Sequence, residues 1–498
     1  MTGLDTATIV EHARAVPQHT GFPTVDDLVA RFDRLAADHP DAVTVIRVGT
    51  SRLGEPIHAY RVGRGARSAV VVGGVHPNEP IGSWTALHLA QSVLTDPVLA
   101  AALDTTWHIV PTIDPDGMRL NEAWFDDPTD RVHYARHFYR PAPDAQVEWT
   151  FPTNHKGAYF DRVLPETLGL MLLIDRVRPD LLVSLHNGEM GGVYYYLSRD
   201  EPEVITTLHA VPAALGLPLD TGEPESPYLR EYARSVFAMG EIDEAYDYYE
   251  SLGIDPAAFI GGSSSSSWAG RHGTLSLVAE LPYWQHPDAD DDTATGESYA
   301  DLVRRTADAM AVTGSVLDQV LDAASPMLTI ATPFLEASRA FVPMLARMAE
   351  TDRARADREP PERMATVAER FGLEDLVRCF RLRYGGMLLR AIEAETTAGT
   401  APVALRRLRD RLVEQYATWQ AEAGTGAEQP IPLAALVGVQ YGAVLAAASH
   451  LARTLGPAAG GGDGPAAGSS AEADPGADAG DGAARSRASR PVGVPGGA

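Results

Sequence analysis

With 498 residues, 45% of them hydrophobic, and a formal net charge of −26, the chain has room for two domains and a tail. That acidity argues against nucleic acid or an anionic membrane surface as a partner. The one cysteine, Cys379, rules out an internal disulfide; it lies in a helix-period stretch, Leu373–Leu389, and reads as a small buried hydrophobe. The opening residues show neither the basic n-region nor the apolar core of a signal peptide, and no run of 18 apolar residues suggests a membrane span. A cytoplasmic location is therefore expected. Among 41 basic residues, Lys156 is the only lysine.

In chain order, Thr24–Asp38 combines an N-cap threonine, early acids and apolar residues at helical spacing, which predicts a helix. Thr44–Val48 and Ile57–Val62 predict strands around the turn Gly54-Glu55-Pro56. Ala69–Val72 is a short apolar run of the kind buried in a parallel sheet. Gly73 and Gly74 end it, and Ile81–Leu94 carries helix-period apolar residues after Pro80. Trp107–Thr112 predicts a strand ending in the turn Asp114-Pro115-Asp116-Gly117. Residues 118–160 read as a long irregular loop. Pro165–Val177 predicts a helix, Leu181–His186 an apolar strand that stops on a histidine, Val193–Leu197 an aromatic strand, and Val204–Leu215 a helix. Residues 218–262 form a second irregular region, acidic and rich in tyrosine, and Ser263–Ser267 reads as a mobile loop. Thr274–Leu281 predicts a strand with Glu280 near its end, and Tyr299–Leu321 a helix.

Beyond about residue 325 strands give way to long amphipathic patterns: Phe334–Glu350, Pro361–Thr396, Val403–Glu422 and Ile431–Leu455. From Gly456 the chain is mostly Gly, Ala, Ser, Asp and Pro, too poor in apolar residues to offset its ordering entropy. The expected fold is α/β: an extension over 1–20, a domain over 21–324 with a mixed, mostly parallel sheet flanked by helices, a helical domain over 325–455, and a disordered tail over 456–498. The helical domain carries no chemical motif; dimerisation, covering of a cleft or recruitment of a partner would all suit it.

The chemistry starts at His76 and Glu79, three residues apart where a central strand hands over to a helix. In open α/β sheets that edge is where ligands bind, and an imidazole and a carboxylate at this spacing can grip one Zn²⁺. His186, closing another apolar strand, is the natural third ligand. A His₂Glu set leaves a fourth position open for water, as catalytic zinc requires. Glu280, at a further strand end, interrupts an apolar run and is placed to act as a base toward that water and then as an acid toward a leaving amine.

Read together, these segments resemble the zinc carboxypeptidases of the carboxypeptidase A/B type, the funnelins. GGVHPNEPIG resembles the family's metal motif. LPETLGL and LLVSLHN…VYYYL resemble the helix and strands around the third ligand, and GGSSSSSWAG…SLVAEL the segment that ends in the catalytic glutamate. The resemblance covers roughly residues 20–320. It implies one Zn²⁺ on His76, Glu79 and His186, Glu280 as general base, and an arginine from the long loop that stabilises the oxyanion. Arg136 fits that position best, with Arg140 and Arg131 as rivals.

Substrate recognition departs from the family pattern. Where relatives hold a terminal carboxylate with an Asn-Arg pair, this chain has Asn154-His155 followed by Lys156, so Lys156 or a protonated His155 is the expected anion anchor. The position of the family's capping tyrosine falls on Phe259, with Tyr246, Tyr248 and Tyr249 nearby. The residue that sets side-chain specificity falls near Ser266, which suggests a small or polar leaving residue. The leading expectation is a zinc metallocarboxypeptidase acting on a peptide or amino-acid amide. An amidohydrolase for an N-acyl amino acid, or for a modified or carrier-linked peptide, is the first alternative. A binding protein on an inactive fold is the second.

Overall fold

Four consecutive apolar residues, Ala69–Val72, are buried because the strand they end has a covering layer on each face. The computed structural model describes residues 3–258, 260–423 and 427–454. The tail expected from Gly456 and the position of Phe259 lie outside the described residues. A nine-stranded mixed sheet organises the chain. Its strands are β1 Val43–Thr50, β2 Pro56–Val62, β3 Arg67–Val72, β4 Thr105–Val110, β5 Leu181–Leu185, β6 Tyr194–Leu197, β7 Glu231–Ala233, β8 Val236–Ala238 and β9 Leu275–Glu280. They run in the order β1-β2-β4-β3-β5-β9-β6-β8-β7. The centre, β4-β3-β5-β9, is parallel. Antiparallel joins flank it at β2/β4 and β9/β6.

The helices form as their patterns dictate. α1 is Thr6–Arg14 and α2 Val25–Asp38; Thr24 caps the latter, its side chain accepting from Asp27 N. α3 is Ile81–Thr95, α4 Arg131–His137, α5 Pro165–Val177, α6 Pro202–Leu215 and α7 Ile242–Ser251. The serine run is no loop. Ser264 caps a short helix, α8 Ser265–Gly270, by accepting from Ser267 N, the position where serine competes best for free backbone donors. Val70, Val72 and Leu182 pack under α5 and α8 on one face of the sheet. Val71, Val183, Leu185 and Leu277 enter the larger core on the other face. The two irregular regions are more ordered than expected, holding α4, the hairpin Thr153–His155/Ala158–Phe160, β7, β8 and α7.

The helical portion begins before residue 325 and packs on the α/β layers. α9 Tyr299–Ala324, α10 Pro333–Ala356, α11 Val367–Thr397 and α12 Val403–Ala423 pack together. The last helix, α13 Leu433–Thr454, leaves them and lies against α1, α3, α6 and the sheet. Its side chains share one core with those of the α/β layers. By length and composition α13 could cross a membrane, an exception to the expected lack of such a stretch, but 89% of its most apolar window is buried within the protein. A helix apolar all round belongs in such a core. Gly438 and Gly442 permit the approach: a Cβ would stand 2.5 Å from Ala13 O at the first and 2.9 Å from Val211 at the second. Arg67 at the start of β3 caps the far end, donating to Leu451 O at 3.1 Å and Ala452 O at 3.2 Å. The 1–20 stretch is likewise integral, since α1 packs on α13 and α6.

A buried ionic network joins α11 to the site edge of the sheet. Glu189 accepts from Arg131 at 2.8 Å and Arg383 at 2.6 Å, and Arg131 also pairs with Asp375 at 2.8 Å. Cys379 is buried as expected, yet its thiol has a polar partner, Glu189, at 3.2 Å. Burial would raise the pKa of Glu189, but the two guanidinium groups outweigh it and hold the carboxyl at about 2.

Two outcomes follow. A chain ended at residue 430 loses α13 and should be recovered unfolded or aggregated rather than as an intact α/β domain, read by circular dichroism and limited proteolysis. Glu189→Gln takes a shared carboxylate from two buried guanidinium groups, Arg131 keeping only its pair with Asp375, and should cost about 3–5 kcal/mol in denaturant unfolding at pH 7. Because the folded pKa is depressed, that difference is complete above the unfolded value and should shrink as pH falls toward about 2.

Candidate metal centre

Sheet order brings the reactive residues together. β3, β5 and β9 are adjacent and parallel, so their carboxyl ends share one edge. After β3, Gly74 takes φ +67°, and a Cβ there would meet Thr112 Oγ1 at 2.6 Å; glycine alone makes this turn, which delivers His76 and Glu79. His186 follows β5 directly, and Glu280 ends β9.

The four side chains are buried in contact. His76 Nδ1 lies 3.2 Å from the Glu79 carboxylate. His186 Nδ1 lies 3.3 Å from Glu79 Oε2 and 3.4 Å from Glu280 Oε1. The Nε2 of His186 meets Ser184 Oγ at 2.9 Å, which leaves Nδ1 turned to the carboxylates. Asn187 N donates to Glu79 Oε2 at 3.1 Å, and Arg140 Nη1 to Glu79 Oε1 at 3.2 Å. Trp149 walls the site, its ring 6.3 Å from that of His76. Gln440 of α13 accepts from Thr85 Oγ1 at 2.7 Å and donates to His186 O at 2.9 Å. The last helix therefore fixes the backbone of a ligand.

The donor set fits Zn²⁺. One ligand atom from each of His76, Glu79 and His186 lies within 4.8 Å of the others, the one such buried group among the described residues. Two imidazoles and a carboxylate are the set that catalytic zinc takes. The charge balance agrees. Burial lowers His76 to a pKa of about 3, with Arg140 adding to the effect. Burial would lower His186 too, but Glu79, Glu280 and Glu148 raise it to about 9. Burial pushes the carboxyl of Glu280 well above its usual range, and that of Glu148 upward. The site thus holds protons on His186 and Glu280, a place that a divalent cation would take over on binding.

The substrate residues expected from sequence fare differently. Arg136 turns away and pairs with Glu393 of α11 at 2.6 Å, because α4 lies against α11. Arg131 is held in the Glu189 network. Arg140 is the loop arginine at the cluster. Lys156 sits in the tight turn of the 153–160 hairpin with φ +48°, pairs with Asp247 and Glu250 of α7, and lies 4.8 Å above the Tyr246 ring. Its ammonium is thus paired within the protein and not free as the sequence suggests. His155 packs beside Tyr246 at 5.5 Å, and Asn154 is exposed. Tyr248 and Tyr249 cluster with Tyr228 instead of reaching the cluster of ligands. Ser266 Oγ meets Ser264 Oγ at 2.9 Å within α8, and Ser265 is the serine that reaches toward the site, donating to Glu148 Oε1 at 2.9 Å. Glu148, Ser184, Asn187 and Gln440 were not singled out from sequence. Of these, Asn187 alone carried a signal, its place beside His186.

Gln440→Leu should leave Thr85 and the His186 carbonyl without their buried partner. Zinc affinity is expected to fall about 10-fold or more, measured by competition with a chromogenic chelator, while the protein stays folded.

Comparison with known proteins agrees with this donor set. The family described as zinc carboxypeptidase matches residues 28–210. Zinc carboxypeptidase A 1 of Anopheles gambiae is 27% identical over 112 residues, 21% of this chain and 26% of that protein. The inactive metallocarboxypeptidase ecm14 of Talaromyces marneffei is 29% identical over 127 residues, 20% of this chain and 21% of its own length. These alignments thus span about a quarter of the relatives. The solved carboxypeptidase A of Helicoverpa armigera aligns with 70% of this chain and 79% of its own at 14% identity, with a TM-score of 0.37. The matched residues 28–210 hold all three metal ligands and stop short of Glu280, so the likeness to the zinc carboxypeptidase family covers the metal-binding part of the chain.

Proposed function

We propose that the protein is a zinc-dependent hydrolase of the metallocarboxypeptidase type, cleaving an amide at the C-terminal end of a peptide or a closely similar bond. The observation that carries this reading is Glu280, a buried carboxyl 3.4 Å from His186 Nδ1 and on the strand beside it. A Zn²⁺ held by His76, Glu79 and His186 would supply Lewis acidity to the scissile carbonyl and to a water. Glu280 then takes the proton from the attacking water and returns it to the leaving nitrogen, a role suited to a carboxyl whose pKa burial has raised. Arg140, at the same carboxylate cluster, is the guanidinium available to the oxyanion. Ser184 and Asn187 orient His186 and Glu79, and Gln440 holds the backbone behind them.

A second reading, amide hydrolysis of a substrate without a free terminal carboxylate, is favoured by the ion pairs that occupy Lys156. Two peptide pools, alike except for a free or amidated C-terminus, separate the two by mass spectrometry. Loss of one residue from the free-carboxylate pool alone supports the first reading, and cleavage of the amidated pool supports the second. Glu280→Gln should lower kcat/KM by about 10²–10⁴-fold with zinc still bound. Arg140→Ala should lower kcat by about 10²–10³-fold, whereas Arg136→Ala should stay within about 3-fold of wild type, in contrast with the role its sequence position implies.

A further inference from the structure

Tyr194 stands directly across the β6/β9 ladder from Glu280, and Tyr196 across from Val278. Cross-strand partners leave a sheet on the same side, so both phenols project on the face that carries Glu280. Both hydroxyls donate to one residue, Glu225, from Tyr194 at 2.8 Å and from Tyr196 at 2.9 Å. The two rings meet edge to face at 5.8 Å.

Glu225 is an exposed carboxylate, and no Lys, Arg or His among the described residues pairs with it. The arginines that follow it are engaged elsewhere: Arg230 lies over the Tyr232 ring, and Arg234 pairs with Asp292. Glu225 lies within electrostatic reach of Glu280 and of Tyr228. Burial and Glu225 together hold Tyr194 and Tyr196 protonated, so they remain donors. A fixed carboxylate framed by aromatic rings is the arrangement that binds a cationic nitrogen, by charge and through the ring faces.

We propose that Glu225, presented by Tyr194 and Tyr196, is a specificity-determining residue that receives an ammonium or guanidinium group of the substrate near the scissile amide. The assignment rests on the hydrolase reading for what the bound molecule is, and on geometry alone for the cation site. The nitrogen could belong to a side chain or to the amino terminus of a short substrate.

The test uses zinc-loaded protein with Glu280→Gln, so that peptides stay intact, and calorimetric titration with four peptides of one length. The first is acetylated and ends in norleucine, a side chain like lysine without the ammonium. Two are acetylated with lysine at the last or the last-but-one position. The fourth carries norleucine and a free amino terminus. One or more of the charged peptides should bind at least about 10-fold tighter than the neutral one, and which one identifies the source of the nitrogen. Glu225→Gln in the same background should abolish the preference, and Glu225→Asp should restore part of it. Tyr196→Phe, which removes one donor and keeps the ring, should weaken the preference and serves if Glu225→Gln does not fold. Equal binding of charged and neutral peptides, no binding of any charged peptide, or a preference that survives Glu225→Gln would overturn the proposal. Hydrolysis of the same peptides by the wild-type protein is scored separately. A Glu225-dependent preference with no hydrolysis refutes the hydrolase reading and leaves the cation site standing.

Discussion

Gathering Glu79, Glu148 and Glu280 with His76 and His186 in a buried place is electrostatically unfavourable unless each charge finds a partner. Much of the surrounding structure answers to that constraint. Arg140 meets Glu79, Ser265 meets Glu148, Ser184 meets His186, and Asn187 turns its amide to Glu79. The elements that supply these partners come from the long loop, the serine helix and the strand ends. None of them would need such polar groups if the sheet edge were merely a surface.

The helical portion takes part in the same design. α11 reaches the loop after His186 through the Arg131, Arg383 and Glu189 network, and α13 reaches His186 itself through Gln440. Two glycines one helical turn apart let α13 lie close to α1 and α6, and Arg67 ties its last carbonyls to the first residue of β3. A bundle that reads as an appendage in one dimension is in three dimensions a brace against the metal edge of the sheet.

The central strands, most helices and the ligand set were legible because period-2 and period-3.6 patterns and the strand-to-helix position of His76 and Glu79 are local signals. Glu280 was legible because a carboxylate inside SLVAEL has no structural reason to be there. The ion pairs of Arg136 and Lys156 were not legible, for a common cause. Position along a loop does not reveal where a side chain turns, and both found carboxylates on helices far away in sequence, Glu393 for one and Asp247 with Glu250 for the other. Gln440 was invisible, since a lone glutamine in an apolar helix carries no pattern that points to a backbone carbonyl 254 residues earlier. The aromatic strand VYYYL did show its alternation, but only strand pairing reveals that Tyr194 and Tyr196 share a face with Glu280.

The hydrogen bond from Gln440 to His186 also sets an order of events during synthesis. The three metal ligands lie within the first 186 residues, but the helix that fixes the last of them ends at Thr454. Closing so long a loop is entropically slow and comes late in folding. A nascent chain therefore carries the metal-binding side chains long before it carries a finished site. The finished metal site is deferred until nearly the whole described chain has emerged and docked.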